Sequence, residues 1–170
     1  MPAGAPTLLG DIACRVPRVT RRMTTVHGDL VLRTRGRVLA SWFGAPILVL
    51  ETRGRRTGTR PATPLVYLPQ GDDFAVVPAN GGAERPPAWW LNLQAAGEGV
   101  VVAGGRRRRV TPAIATGDEH ERLWRRMCAV APLEHYQRRA GRKLPVVVLG
   151  AGAPVFDGPR PASLRPAFAT

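Results

Sequence analysis

Residues 51–65 form a cationic turn bracketed by glycines, between two apolar runs at 47–50 and 65–68 that read as strands. Gly54 and Gly58 can adopt backbone angles that point successive amides at one oxyanion. The guanidinium groups of Arg55, Arg56 and Arg60 can fork onto phosphate or carboxylate oxygens. The turn therefore predicts a site for a phosphorylated or polycarboxylate ligand, although a solvated hairpin tip explains the turn equally well when it is taken alone.

A second segment, residues 78–93, follows a strand-like run at 74–77. Its residues 80–82 (Asn-Gly-Gly) tolerate positive φ, and Pro87 fits the first turn of a helix that runs to about residue 94. Backbone amides freed there can hydrogen-bond a planar heterocycle, with Trp89 and Trp90 as an aromatic wall. Core packing is the competing interpretation for at least one tryptophan, since a helix usually turns only one of two adjacent residues inward.

Together these segments resemble the deazaflavin-dependent nitroreductase family, also described as quinone reductases that use coenzyme F420. The likeness spans about residues 46–149 and includes Thr-x-Gly-Arg-Arg-Thr-Gly at 52–58, Pro-Leu at 64–65, Asn-Gly-Gly-Ala at 80–83 and Pro-Ala-Trp-Trp-Leu-Asn-Leu at 87–93. Tyr-Gln at 136–137 and Leu-Pro-Val-Val-Val-Leu at 144–149 resemble the closing segments of the family. Several blocks in the right order are more specific than any one of them.

The resemblance implies an α+β fold, a split β-barrel of mostly antiparallel strands (the FMN-binding split-barrel type) with flanking helices. It also implies that the coenzyme's phosphate and acidic oligoglutamate tail lie on the arginine turn, with its ring near the Asn-Gly-Gly and Trp segments. FMN is the less favoured cofactor. The cofactor-binding residues expected from the resemblance are Arg55, Arg56, Thr57, Gly58, Arg60, Pro64, Leu65, Asn80, Gly81, Gly82, Ala88, Trp89 and Trp90.

Departures from the family pattern fall mainly on the substrate side. Ala79 replaces a serine, and Val130 and Leu133 replace tyrosines of nitroimidazole-reducing relatives. Arg60-Pro61 reverses the family's Pro-Arg, and on a regular strand Arg60 would point to the opposite face. The expected substrate-binding residues Ala79, Val130, Leu133 and Tyr136 therefore predict an aliphatic pocket for a lipophilic quinone, enone or biosynthetic intermediate.

Tyr136 is the candidate catalytic residue, because a phenol can hydrogen-bond a carbonyl oxygen and stabilise charge that develops on it. The alternative is that Tyr136 packs a helix with its hydroxyl in water. His135 can donate instead, but adjacent helical positions face apart. No His, Cys or acidic cluster has the spacing of metal ligands, and we expect no metal site.

A chain of 170 residues suits one domain, and 25 Lys+Arg against 12 Asp+Glu give a net charge of +13. This charge suits an anionic ligand, nucleic acid or an acidic membrane. We expect residues 1–18 to be poorly ordered, residues 19–150 to form the barrel domain, and the Pro-rich residues 151–170 to form a tail. A basic amphipathic helix at about 28–43 either covers the sheet or lies on a membrane.

No apolar run reaches the ~20 residues of a membrane-spanning helix, and the two cysteines suit a reducing compartment. We therefore expect a cytoplasmic protein, either free or in peripheral contact with the inner face of the membrane. Its oligomeric state is left open between a monomer and a dimer. Two alternatives to the reductase stay open. One is a related barrel recruited to a non-redox or FMN-dependent role in a biosynthetic pathway. The other is a basic nucleic-acid-binding module, which we disfavour because the arginines lack the aromatic partners of a reader motif.

Overall fold

Short apolar segments separated by glycine turns form strands in the computed structural model of the protein, which describes residues 41–42 and 45–155. The strands are β1 (Ser41–Trp42), β2 (Ala45–Glu51), β3 (Ala62–Val66), β4 (Leu68–Gln70), β5 (Asp73–Val76), β6 (Gly99–Ala103), β7 (Arg106–Ile114) and β8 (Val147–Pro154). The helices of this part are α1 (Ala88–Ala96), α2 (Gly117–Cys128) and α3 (Leu133–Ala140), and Asn80–Gly82 forms a 3-10 turn.

The strands close into a barrel through one bent segment. The sheet runs β2-β6-β7-β8-β5-β4, and β3 pairs with the other edge of β2. β3 and β4 are interrupted only at Tyr67, whose amide donates to the carbonyl of Pro46 at 3.2 Å. Because this segment pairs with β2 at one end and with β5 at the other, it joins the two ends of the sheet. Every ladder between the described strands is antiparallel, which confirms the predicted split β-barrel.

Two large apolar clusters and a third, small cluster of Val49 and Val102 pack on the faces of the strands. In β2, alternation sends Leu48 and Leu50 into the first cluster, with Val49 on the opposite face. Helix α1 adds Trp89, Trp90 and Leu93 to the first cluster. The second cluster joins strand residues to α2 and α3, which contribute Leu123, Met127, Leu133 and Ala140. The barrel therefore has α1 on one core, and α2 and α3 on the other.

The structure corrects two expectations about the elements. Ser41–Trp42 is a strand paired with β2, so the predicted helix is wrong at its end, and residues 28–40 lie outside the described residues. Strand β8 continues to Pro154, past the predicted boundary at 150, because it pairs with β7. Arg106 to Arg109 begin β7, which lies between β6 and β8 inside the sheet. The expected disordered N-terminus at 1–18 and the tail from 156 onward also fall outside the described residues.

Candidate functional site

The arginine turn closes on itself through its two glycines. The Gly54 amide donates to the Thr59 carbonyl and the Gly58 amide donates to the Gly54 carbonyl, both at 2.7 Å. Gly58 has φ +68°, which favours glycine, and a Cβ on Gly54 would lie 2.8 Å from Thr57 Oγ1. The hydroxyls of Thr57 and Thr59 are 2.7 Å apart and close the exposed side of the turn.

These hydrogen bonds overturn the expectation that the glycine amides converge on a ligand anion. The Gly54 and Gly58 amides are used inside the turn, and the Arg55 amide donates to Asn92 Oδ1 at 3.3 Å. Only Gly58 of the two glycines has positive φ. Recognition of an anion at this turn therefore depends on the guanidinium groups, which can reach oxygens in several directions, rather than on a fixed cradle of amides.

Asn92 is a residue of the site that the sequence reasoning did not single out. It lies on α1, is only 6 % exposed, and accepts two hydrogen bonds from Arg55 through its Oδ1. One comes from the Arg55 amide and the other from its Nη1 at 3.1 Å. Asn92 stands inside the Trp-Trp-Leu-Asn-Leu motif, which was the available signal, although nothing in the motif shows that its partner lies 37 residues away.

The turn opens onto a cleft of about 620 Å³ between the end of β2, the end of α1, and β6 and β7. Its lining contains six arginines and two glutamates: Arg53, Arg55, Arg56, Arg60, Arg107 and Arg109 with Glu51 and Glu98. Arg60 shares this cleft because β3 begins only at Ala62, so the alternation that would turn its side chain away does not yet apply.

Both glutamates of the cleft are already paired. Both carboxylate oxygens of Glu51 accept hydrogen bonds from the Arg107 guanidinium, at 2.8 and 2.9 Å. Glu98 Oε2 accepts one from Arg109 Nη1 at 2.9 Å. Within the described residues, none of the four turn arginines at 53, 55, 56 and 60 forms an ion pair with a carboxylate. A cleft of this size with four such cations fits an elongated ligand that carries several negative charges.

A second group of predicted residues gathers around α3. Asn80, Gly81 and Gly82 have φ of 52°, 61° and 77°, as expected for a turn that ends a strand. The turn packs against α3 so closely that a Cβ on Gly82 would lie 3.0 Å from both the Cα and the carbonyl oxygen of Tyr136. Tyr136 is half-buried against the second cluster, whereas His135 is exposed. The structure therefore favours Tyr136 over His135 as the inward residue of this pair.

The expected substrate-side residues differ in burial. Ala79 and Leu133 are 7 % and 3 % exposed within the second cluster, and Val130 is 37 % exposed. Leu133 also lines a smaller cleft of about 320 Å³ at the start of α3, beside Cys128. Burial raises the pKa of the Cys128 thiol, which keeps it protonated.

Both tryptophans of α1 belong to the core. Trp89 and Trp90 are each 6 % exposed in the first cluster, with their rings edge to face at 6.1 Å. The expectation that only one turns inward is wrong, because positions 89, 90 and 93 span an arc of about 100° on the helix. Ala88, at the start of α1, is exposed, and Pro64 and Leu65 pair with Val49 and Leu48 in β3.

The predicted residues therefore fall into two groups. Arg55, Arg56, Gly58 and Arg60 line the large cleft together. Residues 79–82, 88–90, 130, 133 and 136 do not line it, and neither do Thr57, Pro64 and Leu65. Helix α1 connects the groups, since it follows the Asn80–Gly82 turn along the chain and carries Asn92 to the arginine turn.

Two classes of site are not found in the described part of the chain. Residues 41–42 and 45–155 contain no group of three or more His, Cys, Asp or Glu side chains that could hold a metal ion. Nor does a helix in these ranges have the length and apolarity needed to cross a membrane.

Comparison with known proteins identifies the family. The model of the F420H(2)-dependent quinone reductase family matches residues 22–151. An F420H(2)-dependent quinone reductase of Mycobacterium tuberculosis (strain H37Rv) is 32% identical over 133 residues, which cover 75% of this chain and 89% of the relative. A relative from Mycobacterium bovis shows the same identity and coverage.

Solved structures agree with this match. An F420-H2 dependent reductase (FDR-A) superposes with a TM-score of 0.55 at 26% identity, over 61% of this chain and 93% of that chain. A structure described as a domain-swapped dimer superposes with a TM-score of 0.56 at 25% identity, over 71% and 97%. The chain therefore belongs to the F420H(2)-dependent quinone reductase family, with coenzyme F420 as its cofactor and F420-dependent reduction as its enzyme class.

Proposed function

We propose that the protein reduces a lipophilic quinone or conjugated enone with reduced coenzyme F420, which it holds by its acidic tail. In this proposal Arg55, Arg56 and Arg60 bind the phosphate and carboxylates of the tail, and the deazaflavin ring lies toward the Asn80–Gly82 turn. The coenzyme, when bound, supplies the hydride. The chain contributes binding, orientation and one proton.

One observation carries the proposal: the four turn arginines at 53, 55, 56 and 60 have no ion-paired carboxylate among the described residues, while the neighbouring Arg107 and Arg109 do. Positive charges that lie together in a cleft repel each other and raise the local concentration of anions. If the arginine turn had only a structural role, we would expect its arginines to form ion pairs with nearby carboxylates. Arg107 and Arg109 of β7 form such pairs with Glu51 and Glu98.

The substrate class is inferred from the residues around α3. Ala79 and Leu133 are apolar and buried, Val130 adds an exposed aliphatic surface, and Tyr136 is half-buried beside the Asn80–Gly82 turn. Such a wall suits an apolar ring better than a charged substrate. Tyr136 is placed in the proposal as the donor to a substrate carbonyl oxygen, where its phenol would stabilise the charge that develops during hydride transfer.

A fluorescence titration with oxidised coenzyme F420 tests the binding half of the proposal. Replacing Arg55 and Arg56 by alanine is expected to weaken binding by on the order of 1 to 3 kcal/mol per lost contact, because each guanidinium makes charge-assisted hydrogen bonds. The matched control replaces Arg125 and Arg126 by alanine, which removes the same amount of charge. These two arginines are exposed on α2 and do not line the cleft.

Equal affinities of wild type and the cleft variant would place the anion site elsewhere, and equal losses in both variants would mean that net charge alone attracts the ligand. The chemical half is tested by anaerobic turnover of the reduced coenzyme with menadione, a nitroimidazole and a conjugated enone. We expect menadione or the enone to be the best substrate, with Tyr136→Phe lowering kcat about 10²-fold. Preference for the nitroimidazole would contradict the proposed pocket.

A parallel titration with FMN tests whether the site selects coenzyme F420 through its acidic tail. FMN carries one phosphate and offers the four turn arginines fewer oxygens than an oligoglutamate tail. Binding of FMN as tight as that of coenzyme F420 would contradict recognition of the acidic tail by the turn arginines. We further propose that the protein is cytoplasmic, in peripheral contact with the membrane or free of it, and that it is a monomer or a dimer. A structural relative is described as a domain-swapped dimer, so sedimentation should be used to measure the oligomeric state.

A further inference from the structure

The loop between β5 and α1 carries an unusual backbone that needs support from outside. Three consecutive residues, Asn80, Gly81 and Gly82, have positive φ, and Asn80 is the single non-glycine residue with positive φ in the described part of the chain. The two glycines adopt positive φ readily, whereas for Asn80 such a conformation persists where the surrounding structure determines it. Inside the loop, Asn80 Nδ2 donates to the Arg85 carbonyl at 2.9 Å.

The outside support comes from Arg142, which follows α3. Its Nη2 donates to the Pro78 carbonyl and its Nε donates to the Glu84 carbonyl, each at 3.0 Å. These two carbonyls lie on either side of the Asn80–Gly82 turn. One planar guanidinium therefore joins the beginning and the end of the loop, which a lysine amine cannot copy with the same fixed geometry.

Arg142 is itself held by the residue next to Tyr136. Gln137 Nε2 donates to the Arg142 carbonyl at 2.6 Å, and Gln137 Oε1 accepts from the Leu144 amide at 2.8 Å. The Gln137 side chain thus fixes the segment that leaves α3. This gives a structural role to the Gln of the Tyr-Gln pair. Gln137 and Arg142 together connect Tyr136 to the loop against which Tyr136 packs.

We propose that Arg142 is a positioning residue of the coenzyme site: by binding the Pro78 and Glu84 carbonyls it sets the spacing between the Asn80–Gly82 turn and Tyr136. The inference rests on the proposed function, because it assigns the coenzyme ring and the substrate to that space. Arg142 does not line the arginine cleft, so its effect on the coenzyme passes through the loop and not through the tail.

Hydrogen exchange and coenzyme binding together test the inference. In Arg142→Ala we expect amide exchange of residues 79–85 to become at least tenfold faster. We also expect the Kd of coenzyme F420 to rise about tenfold, as for loss of an interaction with a charged group. Affinity for tripolyphosphate, a probe of the cleft alone, should stay within twofold of wild type. Lys143→Ala is the control, since it removes the neighbouring exposed charge.

Arg142→Lys keeps the charge and provides a second variant in case the alanine variant does not fold. It is expected to lie between wild type and Arg142→Ala in both measurements, with the same melting temperature as Lys143→Ala within error. Unchanged exchange in residues 79–85 would overturn the inference, and so would faster exchange with an unchanged coenzyme Kd. A wild-type protein that binds no coenzyme would overturn the proposed function and this inference together, whereas tight binding by wild type and both Arg142 variants alike would overturn the inference alone.

Discussion

Asn92 should separate the stability of the arginine turn from its charge. In Asn92→Ala the Arg55 amide loses its acceptor, while the Arg55 guanidinium returns to water because that side chain is exposed. The loss is therefore mainly that of one partly buried amide, about 1 to 3 kcal/mol in the free energy of unfolding. In Asn92→Asp the acceptor oxygen remains, so we expect a smaller loss.

The order should reverse for ligand binding. Asn92→Asp places a carboxylate on Arg55 and removes one unpaired cation from the cleft, which should weaken binding of coenzyme F420 by roughly 1.5 to 3 kcal/mol, about 10- to 100-fold. The salt dependence of the affinity should also become shallower. Urea unfolding measures the first quantity, and coenzyme titrations at two salt concentrations measure the second.

Gln94→Glu is the matched control for this charge change, because it lies on the same helix, is exposed and does not line the cleft. Wild-type affinity in Asn92→Asp would mean that Arg55 does not touch the ligand. Equal stability of wild type and Asn92→Ala would mean that the two hydrogen bonds do not hold the turn. Either result would refute the reasoning about this contact.

Three further predictions concern other contacts. Gly82→Ala should lower the unfolding free energy more than Gly81→Ala does. Both residues have positive φ and share a penalty of about 1 to 2 kcal/mol, but only a Cβ on Gly82 would lie 3.0 Å from Tyr136 backbone atoms. Equal losses in the two variants would contradict that close contact. Glu51→Gln should lower the unfolding free energy by about 1 kcal/mol, because the ion pair of Glu51 with Arg107 is partly exposed. The same variant should bind tripolyphosphate more tightly, because it removes the carboxylate that pairs with Arg107. Weaker binding would mean that Arg107 needs Glu51 for its position. Burial raises the pKa of the Tyr67 phenol, so the folded state binds the phenol proton more tightly than the unfolded state does. The stability that this proton contributes is therefore lost as the pH rises through and above the usual Tyr pKa of about 10. Urea unfolding between pH 8 and 11 should show wild type losing stability relative to Tyr67→Phe only in that alkaline range.

Local patterns predict much of this fold. The apolar runs before and after the arginine turn are strands β2 and β3, and the Trp helix begins directly after Pro87. The Asn80–Gly82 turn has the positive φ angles that its residue types suggest. These features are set by residues within a few positions of each other, which is why a sequence reveals them.

The features that escaped prediction depend on partners far along the chain. The Arg55–Asn92 contact joins residues 37 positions apart, and the Glu51–Arg107 pair joins residues 56 apart. Which arginines keep an unpaired charge follows from such pairs, and therefore needs the tertiary structure. The burial of both Trp89 and Trp90 likewise depends on how α1 approaches the barrel, which helical periodicity does not fix.

Strand β8 is the last strand of the described chain, yet it lies between β5 and β7. While the protein is being synthesised, those two strands have no neighbour on the facing edges until residues 147–154 have left the ribosome. Formation of the closed sheet must therefore wait for the end of this domain, and earlier intermediates present two open β edges to other chains. Yield during expression should accordingly depend on how quickly these last residues are released or on chaperones that shield the waiting edges.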